Sequence, residues 1–209
     1  MSNYRKQVAD RILPLSISST VPEAFREWTY SGSTHDFEAP IETCELCGQE
    51  KLRYHFEIEN QHNGNRLDVG SECILRFEVP IYEAGRELSP SEARSLLKQH
   101  IKQMRLESCI RALEKLAETE DNRILEGALS YYRRNKKLTP KQANVVFWRL
   151  QKHQIDHDAS FFAVRLDKQN YVDDLTEMPT PRVHRFWKAL SQSQRKKAIE
   201  IGHRPPRDL

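Results

Sequence analysis

Two short motifs constrain this chain most: Cys44-Glu-Leu-Cys47-Gly48 and Val69-Gly70-Ser71-Glu72-Cys73, with twenty-five residues between Cys47 and Cys73. A Cys-x2-Cys pair in a tight turn lets two thiolates reach one ion. The intervening stretch decides whether a third can join them. Leu52 to Asn60 alternates apolar and polar side chains, the period of a half-buried strand. Asn63-Gly64 is a strong hairpin turn signal, and Arg66 to Val69 alternates again. A hairpin brings the chain back to where it left, so Cys73 is expected beside the knuckle. Three converging thiolates suit a structural zinc ion.

Bulk properties narrow the setting. The 209 residues contain four cysteines, three of them in this pattern, which argues against a disulfide framework and for a reducing compartment. No apolar run approaches the roughly 20 residues that span a bilayer. The first residues, MSNYRKQVADRILPLS, lack the apolar stretch of a secretory signal. A cytoplasmic location and no membrane partner are expected. The net charge of +3 hides an asymmetry. Residues 1–121 carry 15 basic and 21 acidic side chains, whereas residues 122–209 carry 18 and 9. A polyanion would therefore be drawn to the C-terminal part.

The pattern predicts an α+β protein in three parts. Residues 1–40 read as an N-terminal extension with short helices, one started by Pro22 and broken at Ser31-Gly32-Ser33-Thr34. Residues 41–80 read as a treble-clef-like zinc module: knuckle, β-hairpin, then a short helix over Ser71–Phe77. Residues 87–209 read as a basic helical domain. Within it Ser89-Pro90-Ser91-Glu92 is a capping box, and apolar residues recur at helical spacing from Ala93 to Leu116. That predicts a helix of about 30 residues. Asn122–Arg134, Thr139–His153, Thr180–Leu190 and a segment capped by Ser191 are the further predicted helices, with residues 160–166 ambiguous between strand and helix.

A structural zinc needs four ligands. With Asn63-Gly64 as a two-residue turn, opposed positions sum to 127, which sets His55 against Glu72 at the open end of the hairpin. His62 falls at the far end. The expected metal ligands are thus Cys44, Cys47, Cys73 and His55. Cys109 reads as a core residue, and His153 with His157 as part of a polar loop. No catalytic motif stands out. A His-Asn-His-type nuclease would need ligands on the helix after the hairpin, where Ile74, Leu75, Arg76 and Phe77 stand. No enzymatic activity is expected.

The basic part mixes cations with aromatics. Arg133, Arg134, Lys136 and Lys137 form the densest cluster, followed by Lys141 and later by Arg195, Lys196 and Lys197. Lysine and arginine neutralise phosphates, and exposed aromatics stack on bases. These eight residues are the expected contacts to DNA or RNA. Phe147, Trp148 and Trp187 are either stacking platforms or core.

The run CELCG…LRYHFEIEN…LDVGSECILRF, residues 42–77, resembles small cysteine-knuckle segments with a CxxCG…RY…VGxxC arrangement in bacterial, plasmid and phage proteins. LTPKQANVVFWRL also looks like a helix found in phage and mobile-element proteins. The resemblance carries Cys44, Cys47, Gly48, Gly70 and Cys73 onto the family pattern. It implies an accessory protein that handles nucleic acid in a mobile-element, phage or CRISPR-like defence complex, with protein subunits as possible partners. The competing expectation is a non-enzymatic adaptor or inhibitor that docks a protein through the acidic N-terminal half and the zinc module.

Overall fold

A computed structural model of the chain describes residues 3–207. Helices and a small antiparallel sheet make it α+β, and the chain divides into two compact units, one ending at Met104 and the other beginning at Arg105.

The first unit is built on a sheet of β1 (Trp28–Asp36), β2 (Tyr54–Asn60) and β3 (Arg66–Val69), in that order. Helices α1 (Asn3–Ile12) and α2 (Val21–Glu27) precede the sheet, and α3 (Ser71–Arg76) follows it. A short ribbon of β4 (Tyr82–Glu83) and β5 (Arg86–Glu87) comes next. The core gathers Ile12, Trp28, Leu46, Phe56, Ile58, Ile74 and Leu97.

β1 is an element that the sequence reading lacked. Ser31-Gly32-Ser33, read as a break, is a bulge: Tyr30 pairs with Ile58 and Thr34 with Phe56, so three residues of β1 loop out opposite Glu57. Gly32 takes φ of 88°, and the Ser31 hydroxyl donates to the Glu57 carbonyl. The glycine lets the strand leave the ladder and return. Residues before 41 thus supply an outer strand and core side chains, Trp28 among them, to the same unit as the knuckle.

The hairpin register also differs from expectation. Phe56 pairs with Val69 and Glu59 with Arg66, a shift of two positions. The turn is longer than two residues because side chains hold it. The Gly64 N–H donates to the Asn60 carbonyl, the Asn60 side chain accepts from His62 N–H, and the Asn63 side chain accepts from Asn65 N–H. Gly64 takes the positive φ of 72°, whereas Asn63 does not.

Glu27, at the end of α2, ties this tip to the N-terminal segment. Its carboxylate accepts from the N–H groups of Ile17 and Ser18 and from the Asn60 amide. Asn60, Asn63 and Asn65 all donate side-chain N–H bonds to the Leu15 carbonyl. These bonds satisfy backbone groups that would otherwise be left without partners.

Helix α4 runs from Pro90 to Thr119, matching the expected length. Its start is the reciprocal box read from the sequence: Glu92 accepts from Ser89 N–H and hydroxyl, and the Ser89 oxygen accepts from Glu92 N–H. The second unit continues with α5 (Arg123–Asn135), α6 (Pro140–Lys152), α7 (Gln169–Thr176), α8 (Thr180–Arg185) and α9 (Gln192–Glu200). Asn122, Thr139 and Ser191 cap α5, α6 and α9 through their side chains. Helix α7 escaped the sequence reading, and the segment to Leu190 ends in a 3-10 turn rather than continuing α8. Phe147, Phe186, Trp187, Leu113 and Leu129 fill the core, so Phe147 and Trp187 are not stacking platforms.

Candidate metal centre and basic groove

The knuckle sits at the end of a narrow ribbon closed by Glu42 and Leu52, whose N–H groups each donate to the other's carbonyl. Gly48 N–H donates to the Cys44 carbonyl and Cys44 N–H to the Gln49 carbonyl, tightening the turn. Gly48 lies at φ of 71°, which any Cβ would strain. The turn is fastened to β3: Glu45 N–H donates to the Asp68 carbonyl, and the Glu45 carboxylate accepts from Asp68 N–H. Gly70 then turns the chain into α3, whose third residue is Cys73.

The three sulfurs converge, all lying within 4.8 Å of one another and all buried. Cys73 Sγ is 3.6 Å from Cys44 Sγ and 3.2 Å from Cys47 Sγ. Disulfide sulfurs would lie about 2.05 Å apart. Zinc–sulfur bonds of about 2.3 Å in a tetrahedron set sulfurs about 3.8 Å apart, close to the longer of these separations. Cys44 is pulled down to about 5, first by the hydrogen bond with Cys73, against burial, with backbone N–H groups of Gly70, Cys47 and Leu46 adding to the pull. Cys73 is pushed strongly up by the same hydrogen bond, by burial and by the Cys44 charge. Several buried thiolates repel one another unless a cation sits between them, so the trio can hold a metal ion.

His55 is not part of this group. It pairs with His35 across β1 and β2, and its ring meets Phe37 edge-on at 5.1 Å. Alternation along β2 sends it to the face opposite that of Tyr54, which lines the sulfur-bordered cavity. The fourth ligand expected at this position is therefore absent from the cluster. The His55 ring is buried, and its Nε2 has no hydrogen-bond partner. Among the described residues no histidine, aspartate or glutamate completes the trio.

The eight expected basic contacts fall into different surroundings. Arg133 is held by two carboxylates, Glu107 at 2.6 Å and Glu114 at 2.7 Å. Lys141 pairs with Asp174 at 2.6 Å. Arg195 donates to the carbonyls of Trp187 and Lys188. Lys136 forms the left-handed cap of α5 at φ of 55°. Arg134, Lys136, Lys137 and Lys196 are exposed.

Lys137 and Lys197, 60 positions apart in sequence, border the same groove of about 370 Å³, together with Arg165, Asp167, Ser193 and Gln194. Backbone bonds build it. Leu138 N–H donates to the Ala163 carbonyl and Arg165 N–H to the Leu138 carbonyl, laying residues 163–165 alongside 138 in a parallel bridge. The Gln194 amide donates to the Val164 carbonyl at 2.7 Å and anchors the start of α9 there. Arg165 is braced by Asp167 and donates to the Tyr131 hydroxyl. Sequence reasoning passed over Arg165, because only the 138–164 bridge reveals its neighbours. Trp148 remains 39% exposed, with Arg149 at 4.5 Å and Lys152 at 5.4 Å from its ring.

Cys109 is buried among core residues, as read. His153 lies 3.2 Å from Glu120, and His157 Nδ1 meets the Ile155 carbonyl. Among the described residues no helix is long and apolar enough to cross a membrane. Comparison with protein-family models, with curated proteins and with solved structures returned no match.

Proposed function

We propose that this chain is a zinc-stabilised nucleic-acid-binding accessory protein, working in the mobile-element, phage or defence setting that the cysteine-knuckle resemblance implies. Zinc on Cys44, Cys47 and Cys73 holds knuckle, hairpin and α3 together as a treble-clef-like module, and phosphates lie in the groove of the second unit. The supporting observation is the meeting of two separate basic clusters, through Lys137 and Lys197, with Arg165 at one groove. Cations on a shared concave surface attract a phosphate backbone far better than the same charges scattered.

The test is a binding assay with single- and double-stranded DNA and RNA across a salt series, using the full chain and the variant K137E/K197E. Each lost phosphate contact lowers the salt slope by about 0.7 to 0.9. The double variant is expected to bind more weakly to every sequence, with a slope reduced by about 1.4 to 1.8. Unchanged affinity and slope would remove the groove from the reading. Failure of the unaltered chain to bind any of the four nucleic acids would favour the adaptor role instead. Arg133 is unsuited to this test, since reversing its charge breaks the pairs with Glu107 and Glu114.

A further inference from the structure

The groove bordered by Lys137 and Lys197 holds a flat surface as well as charge. Arg165 lies in its wall, and three of the five N–H donors of a guanidinium are committed there. Nε and Nη2 donate to the Asp167 carboxylate at 3.0 and 2.7 Å, and Nη1 donates to the Tyr131 hydroxyl at 3.1 Å. Asp167 matches the charge of Arg165, so the attraction for phosphate falls to the exposed Lys137 and Lys197. The three bonds also fix the guanidinium plane, and what Arg165 offers a ligand is its face. Tyr171, in the first turn of α7, extends that surface: its ring centroid lies 5.7 Å from the Arg165 guanidinium carbon and 6.0 Å from Lys168 Nζ. Val164 and Leu166 add apolar surface to the wall.

We propose that this groove takes a single strand, with a phosphate between Lys137 and Lys197 and a base stacked on the platform of Arg165 and Tyr171. The inference rests on the nucleic-acid reading above. The platform selects the strand. In a duplex each base face is covered by its neighbour, and only base edges reach the grooves. A flat guanidinium and a tyrosine ring beside a phosphate site then have nothing to stack on. In a single strand the faces are open, and bases stack on aromatic rings and on arginine planes. The volume of about 370 Å³ falls in the range that encloses a small ligand, which suits one splayed nucleotide. Stacking needs no particular base edge, so the site tolerates any sequence.

The experiment uses the full chain and fluorescence anisotropy at one salt concentration, in whichever of DNA and RNA the assay above favours. Three probes of equal length are compared: oligothymidylate or oligouridylate, a mixed-sequence duplex, and an abasic strand that keeps the phosphates and lacks the bases. The pyrimidine strand is expected to bind tightest. The abasic strand should bind about 5- to 150-fold more weakly, the range for losing one stacked base. Tyr171→Ala should bring the pyrimidine strand to the abasic level with its salt slope unchanged, and Tyr171→Phe, which keeps the ring, should retain full affinity. A duplex or an abasic strand bound as tightly as the pyrimidine strand overturns this inference and leaves the nucleic-acid reading standing. So does a folded Tyr171→Ala chain that binds like the unaltered one. If Tyr171→Ala does not fold, the abasic comparison on the unaltered chain decides alone. Failure of the unaltered chain to bind any strand or duplex, DNA or RNA, overturns the nucleic-acid reading itself, and this inference with it.

Discussion

Glu27 shows how one side chain can carry both stability and its pH dependence. Its carboxylate accepts three hydrogen bonds, from Ile17 N–H, Ser18 N–H and the Asn60 amide. The Ser18 side chain, also hydrogen-bonding to it, is the largest influence holding it down, burial opposes, and the group sits at about 2 against an ordinary 4.5. A depressed carboxylate stabilises the fold fully above its ordinary value, and the contribution fades as pH falls from 4.5 toward 2. Thermal unfolding followed from neutral pH down through that window should show the loss. Glu27→Gln should unfold at lower temperature at neutral pH and lose less between the two limits. An unchanged acid profile in the variant would assign the loss to other carboxylates. Cys73→Ser makes the companion prediction for the metal: the purified variant should hold no stoichiometric zinc, measured by elemental analysis, because two thiolates do not retain a structural ion.

At the scale of elements, caps and packing can be tested separately. Thr139 and Gln142 form a reciprocal box at the start of α6, so Thr139→Ala should cost about 1 kcal/mol in denaturant unfolding. Trp28, fully buried on β1, should cost about 3 to 5 kcal/mol when cut to alanine. The contrast would establish that β1 belongs to the core of the first unit; a loss near that of the cap would deny it. Helix starts were legible because Ser89-Pro90, Thr139-Pro140 and Ser191 advertise themselves locally. β1 was not, because its paired residues lie 18 to 32 positions away and Gly32 imitates a turn. Helix α7 has no capping side chain to announce it, since Lys168 at its start makes no side-chain capping bond. The hairpin was legible but its register was not, as Asn60, Asn63 and Asn65 set the loop length through bonds to the turn itself and to Leu15.

Over the whole molecule, two compact units with separate cores imply that metal removal acts locally. Hydrogen exchange after chelation should rise across residues 42–77 and the sheet, while α5, α6 and α9 keep their protection. Loss of protection in all of them at once would mean that the units unfold together. The sequence by itself determined the three sulfurs, the hairpin that returns the third, the long capped helix and the excess of positive charge after residue 121. All of these depend on spacing, periodicity or composition, which are properties of neighbours along the chain. Tertiary structure alone decided that His55 lies outside the sulfur cluster, that Arg133 and Lys141 are matched by carboxylates, and that Lys137, Arg165 and Lys197 share a groove. Each of these is set by segments far apart in sequence, where a shifted register or a single bridge at Leu138 changes what a side chain meets.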